Sequence, residues 1–198
     1  MNNLRALGLC LVFATFLSAF VSPARANEDD KLTIFTFSAP VELPGKMLPA
    51  GTYVFKIMDK MADRNIVQVW DKNQQRLYAT IMTIPDYRVQ PSEKTIVRFS
   101  ETAEGGPTAL KEWFYPNDQF GQEFVYPQSR AQELAKAAKQ AVPSMPENLA
   151  SNVTNATNSS TDANVLAMKD AQLKAEQANG HEGELSQSFG DKTTAVQR

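Results

Sequence analysis

The chain has 198 residues, with 20 basic and 22 acidic side chains and a net charge of −2. So mild a balance, with no Lys/Arg cluster, argues against nucleic acid as a partner, because phosphate binding needs a basic surface. One cysteine and one histidine leave no disulfide within the chain and no converging set of zinc or copper ligands, so neither a metal nor a cofactor is expected.

The first predicted element, Met1 to Ala26, reads as a secretory signal. Arg5 supplies the positive start, and Ala6 to Phe20 is an uncharged, mostly apolar run. Pro23 breaks any helix, and Ala24-Arg25-Ala26 gives the small-x-small pattern of signal peptidase, with Ala24 and Ala26 as the cleavage residues. The run is short for a span of about 20 residues, so cleavage is favoured over an uncleaved anchor and no membrane span is expected afterwards. Cys10 lies inside this segment, and Leu7-Gly8-Leu9 before it does not suit a lipobox. A cysteine-free product, periplasmic or secreted, must be stable through its own core.

Residues 27–127 are expected to form one domain. Lys31 to Ser38 alternates with apolar residues on both faces, as in a strand inside a packed sheet. Val41-Glu42-Leu43 leads to a Pro44-Gly45 turn, and Thr52 to Met58 is a further strand. Ile66 to Trp70 and Arg76 to Ile84 flank a five-residue loop, Asp71 to Gln75, and Pro85-Asp86 is expected to end the second of them. Thr95 to Ser100 and Leu110 to Tyr115 follow, separated by the turn Glu104-Gly105-Gly106-Pro107. Short strands with frequent turn signals and no helical period predict an all-β fold, an antiparallel β-sandwich of the prealbumin/Ig-like kind with about 7–8 strands.

The densest apolar stretch is Trp113 to Pro127. Its aromatic residues fall in two runs around Pro116-Asn117-Asp118-Gln119, which predicts a β-hairpin. Tyr and Trp faces stack on sugars or apolar peptide groups, so Trp113, Tyr115, Asn117, Asp118, Gln122 and Tyr126 are the candidate ligand-binding residues. A cysteine-free domain also needs large rings in its core, and core packing is the favoured role.

Composition shifts after Pro127. Ser129 with Gln132 forms a capping-box pattern, and Ala131, Leu134, Ala135, Ala138 and Val142 follow at helical spacing, so residues 128–142 are expected to be a short C-terminal helix stopped by Pro143. Residues 143–198 are rich in Asn, Ser, Thr, Ala and Gln and are expected to be a disordered low-complexity tail. Asn152, Asn155 and Asn158 begin Asn-x-Ser/Thr patterns, and Asn164 to Gln177 could form a marginal helix.

No catalytic residues are assigned. No Gly-x-Ser-x-Gly elbow occurs, and the one histidine, His181, lies in the polar tail. Asp86, Glu112, Asp118 and Glu123 could in principle serve glycoside hydrolysis, but solvated rim acids are the favoured reading.

Leu48-Pro49-Ala50-Gly51-Thr52-Tyr53 ahead of Val54-Phe55-Lys56-Ile57 resembles the turn-plus-strand of prealbumin-like modules such as collagen-adhesin B-type repeats and carboxypeptidase regulatory domains. Residues 1–127 also resemble a group of small exported bacterial β-sandwich proteins of unknown function. The shared cues are that turn, Tyr78-Ala79-Thr80-Ile81 leading to Ile84-Pro85-Asp86-Tyr87-Arg88, and Trp113-Phe114-Tyr115-Pro116. The resemblance implies fold and compartment, with no activity to carry over. The expected function is therefore a non-catalytic envelope protein that binds or scaffolds, its partner an envelope protein or a glycan. The alternative is a carbohydrate-binding or weakly carbohydrate-active domain using residues 113–126.

Overall fold

Period-two alternation places large rings on one face of successive strands, and those strands form in the computed structural model, which describes residues 31–58, 65–102, 107–186 and 188–189. The expected signal, with Ala24 and Ala26, lies outside the described residues. The first nine strands are β1 (Leu32–Phe37), β2 (Val41–Leu43), β3 (Lys46–Leu48), β4 (Gly51–Ile57), β5 (Ile66–Asp71), β6 (Leu77–Tyr87), β7 (Ile96–Ser100), β8 (Thr108–Phe114) and β9 (Phe120–Phe124). They join in the order β1-β4-β5-β6-β9-β8-β2-β3, with β7 on β8.

Phe35 and Phe55 meet edge-on at 4.9 Å between ring centroids, and each lies 6.3 Å from Trp113 on β8. The sheet therefore turns back on itself, and these rings fill the interior. The register places Phe55, Val69 and Ala79 side by side on that face. All five residues from Ile66 to Trp70 are buried, so β5 is covered on both faces.

Two turns show why particular residues are needed. Pro44-Gly45 joins β2 to β3, with Gly45 at φ 69° and the carbonyl oxygen of Ala150 only 2.9 Å from where a Cβ would stand. Between β8 and β9, Asn117 adopts φ 63° and the Asp118 amide donates to the Tyr115 carbonyl at 3.2 Å, a turn with Pro116 leading and Asn117 left-handed. The hairpin forms with Trp113 opposite Gln122 and Phe114 opposite Gly121.

Pro85 does not end its strand. β6 pairs with β5 up to Met82 and then with β9 from Thr83 to Tyr87. The Arg88 amide donates to the Gln119 carbonyl, so even-numbered residues here bond β9 and Pro85 faces the side where β5 has ended. A missing amide costs little there. On the same side the Tyr87 amide is taken up by Asp86 Oδ1 at 2.7 Å.

The larger correction concerns the C-terminal segment. Four strands, β10 (Tyr126–Pro127), β11 (Val142–Met145), β12 (Lys174–Glu176) and β13 (Glu182–Glu184), form a second sheet in that order. Helix α1 (Gln128–Ala138) crosses between β10 and β11, which pair in parallel. The helix ends four residues before Val142, at Lys139 with φ 52°, and Pro143 belongs to a strand. Ser129 makes no cap. Its amide and hydroxyl both bond Glu147 Oε2 at 2.9 Å.

Two short helices follow, α2 (Asn152–Asn155) and α3 (Ala163–Lys169), the latter begun by Asp162, whose Oδ1 accepts from the Asn164 amide at 2.8 Å. Both touch β6, and Val153, Val165 and Met168 are fully buried in one core with the strands. The described part of the expected disordered tail is thus folded. Its few apolar residues suffice because the strand body supplies the other half of each contact, which composition taken alone does not register.

The protein is mostly β, with sheets of mixed orientation and a few short helices. Pairing is largely antiparallel, but β2 with β8 and β10 with β11 are parallel.

Candidate functional site

Of the six candidate ligand-binding residues, Trp113, Tyr115 and Gln122 line one cleft of only about 10 Å³, and Asn117, Asp118 and Tyr126 are not among its lining residues. Trp113 is 2% exposed and packs against Phe35 and Phe55. Tyr126 is fully buried, its hydroxyl donating to the Leu110 carbonyl at 2.7 Å and reaching the Glu42 carbonyl at 3.3 Å. Burial, with the Glu42 carboxylate adding to it, pushes the Tyr126 phenol well above its ordinary range. Tyr115 is half-buried, Asn117 is spent on turn geometry, and Asp118 pairs with Lys31. Gln122 Oε1 accepts from the Thr83 hydroxyl. Most of the hairpin's aromatic area is therefore interior.

What the hairpin exposes, together with β6, is a pair that composition alone did not single out. Tyr87 and Phe120 stand opposite each other on β6 and β9, each 41% exposed, with ring centroids 5.6 Å apart. Gln119, which donates to the Val89 carbonyl, lies beside them. The cross-strand register, not the sequence spacing, creates this patch.

The carboxylates also depart from expectation. Asp86, Glu112 and Glu123 are each 2% exposed or less, not solvated rim acids. The register puts Glu112 opposite Glu123, and Glu123 opposite Ile84, so the three acids share one face of adjacent strands. Glu112 is held by Arg98 at 3.1 Å and Lys111 at 3.0 Å. Phe114 occupies the same face, its ring so close over Gly121 that an added Cβ would stand 2.6 Å from it, with the Arg88 guanidinium 5.4 Å from the ring centroid. Ion pairing with Arg98 and Lys111 matches the charge that Glu112 brings out of water. Glu176, also buried, accepts from the Ser144 hydroxyl at 2.9 Å. Among the described residues no group of His, Cys, Asp and Glu could hold a metal ion, and no helix is long and apolar enough to cross a membrane.

A larger concavity lies elsewhere. A slot of about 580 Å³ separates β1 from β7, lined by Thr33, Phe35 and Phe37 on one side and Thr95, Val97 and Phe99 on the other. Ile34, 59% exposed, stands at its rim. Among the described residues no ionisable side chain lines it, so what they offer there is apolar contact and backbone hydrogen bonds. Comparison with family models, with curated proteins and with solved structures finds no match to this chain.

Proposed function

We propose that this chain is a non-catalytic exported protein that binds or scaffolds at the cell envelope, its leader cleaved after Ala26 and its product periplasmic or secreted. The observation that carries the binding reading is the slot between β1 and β7, an uncharged surface channel bordered by two strand edges. The ion-paired, covered state of Glu112 supports the absence of catalysis. Packing of Phe35 and Phe55 onto Trp113 supports a β-sandwich of prealbumin/Ig-like type for the strand body.

The test is a hydrolase and transferase panel on the purified protein, run beside Glu112→Gln. No turnover by either is expected, and turnover that disappears in Glu112→Gln overturns the reading. Mass spectrometry of the exported product checks the cleavage, with an N-terminus at Asn27 expected.

A second reading, glycan binding, is favoured by one observation: the exposed Tyr87–Phe120 pair is a platform for a sugar face. It moves the contact from Trp113 and Tyr126 to the outer end of the hairpin.

A further inference from the structure

Among the described residues β1 pairs with β4 alone and β7 with β8 alone. Their other edges face each other across the slot, and the two strands run the same way. Lys31, just before β1, pairs with Asp118, while the neighbouring Asn117 amide donates to the carbonyl of Ser92, which leads into β7. At the far end the Phe37 and Phe99 rings lie 6.5 Å apart.

The backbone of β1 is set for another partner. The Ile57 amide donates to the Lys31 carbonyl at 3.4 Å, so odd-numbered residues are directed toward β4. The even-numbered Leu32, Ile34 and Thr36 then direct their amides and carbonyls into the slot. The Thr33 hydroxyl, also lining the slot, is buried without a hydrogen-bond partner. Edge strands are usually guarded by a charge, a proline or a bulge, and Leu32–Phe37 has none of these.

We propose that the slot accepts one extended, uncharged segment of another polypeptide as an added strand, antiparallel to both β1 and β7. The inference rests on the binding reading above and names its partner class. Two bordering edges require an occupant with both of its own edges free. The β1 edge of a second copy, still bonded to its own β4, does not meet that condition. A lining without charge selects Ser, Thr and apolar residues, since a charge brought there would go unpaired. Alternate side chains of the inserted strand point inward onto Phe35, Val97 and Phe99, so the segment carries apolar residues at every second position.

The experiment uses the full chain and a fluorescein-labelled peptide of alternating Thr and Val, with Lys at its ends for solubility. Anisotropy is expected to report saturable one-to-one binding. A peptide N-methylated at alternate residues loses its donors to one edge and is expected to bind at least about tenfold more weakly. Ile34→Pro removes a donor facing the slot without touching the β4 ladder, and the same weakening is expected. If that variant does not fold, the methylated peptide decides alone. Hydrogen exchange adds a positional readout, with the Ile34 and Thr36 amides protected when peptide is present.

Equal binding of the methylated peptide, or no binding at millimolar concentration, overturns the proposal. So does protection of those two amides without peptide: rising with protein concentration it assigns the slot to a second copy, and constant on dilution it assigns the slot to a segment of this chain. Cleavage of the peptide would overturn the binding reading itself, whereas an intact peptide that does not bind removes the strand slot alone.

Discussion

Residues 32–124 bury many aromatic rings and branched side chains, whereas the segment from Tyr126 onward buries mostly smaller or scattered residues such as Ala131, Ala135, Val153, Val165 and Ala175. Tyr126, Leu134 and Met145 are among its few large ones. The first region is held by sheet pairing from β1 round to β7 and by rings packed across its interior, with the β1 and β7 edges left unpaired among the described residues. The second has little core of its own and is built against the first. Its attachment is specific. The Arg130 guanidinium grips Glu42 with two hydrogen bonds of 2.7 Å, across 88 residues of sequence, while the Tyr126 hydroxyl reaches the carbonyls of Leu110 and Glu42. A segment poor in large apolar residues can thus be ordered when its neighbour supplies the opposing surface.

The strongest way to break this contrast is Met168→Ala. Met168 is fully buried although it lies in a polar segment, and its truncation is expected to cost about 2–5 kcal/mol. Urea unfolding followed through Trp70 and Trp113 emission should show the whole transition moving to lower urea. An unchanged midpoint for those two reporters would mean that the segment contributes nothing to the body.

Next in size is Arg130→Lys, which keeps the charge and loses the two-pronged geometry. A loss of about 1–2 kcal/mol is expected for the partly exposed pair with Glu42, read from the same unfolding curves. A double-mutant cycle with Glu42→Gln should show coupling between the two positions.

The smallest expected effect is that of Tyr126→Phe, about 0.5–1.5 kcal/mol at neutral pH from the lost hydroxyl bonds. It also sharpens the comparison through pH. The folded phenol is raised well above the unfolded value near 10, so its contribution is complete below that pH and falls as pH rises beyond it. Wild type should therefore lose stability above about pH 10 more steeply than Tyr126→Phe, as measured by the unfolding midpoint against pH.

Much of the strand body was legible in the sequence. Alternation in Leu32–Phe37 and Gly51–Ile57 reports local geometry, the apolar run Ile66–Trp70 marks a strand covered on both faces, and Pro116-Asn117 marks the hairpin turn. What was not legible depends on partners distant in sequence. Pro85 reads as a strand end unless it is known that β5 has already stopped beside it. Glu112 and Glu123 read as solvated until the register sets them opposite each other inside the sheet, with Arg98 and Lys111 paired to Glu112. Val153, Val165 and Met168 are too sparse for a periodic signal, and their burial comes from a surface made by other strands. The Tyr87–Phe120 patch and the β1/β7 slot likewise arise only when separate strands are brought side by side.

The eleven-residue strand β6 carries a consequence for the order in which the molecule can be assembled. As the chain is synthesised, Leu77–Met82 can zip onto β5 at once, because that partner precedes it by a short loop. Thr83–Tyr87 must wait until Phe120–Phe124 has been made. During that interval the waiting half is shielded from premature pairing along one border by Pro85, which has no amide to offer, and by Asp86, which engages the Tyr87 amide. One strand thus serves first as the arm of a local hairpin and later as the seam that admits the second half of the sheet.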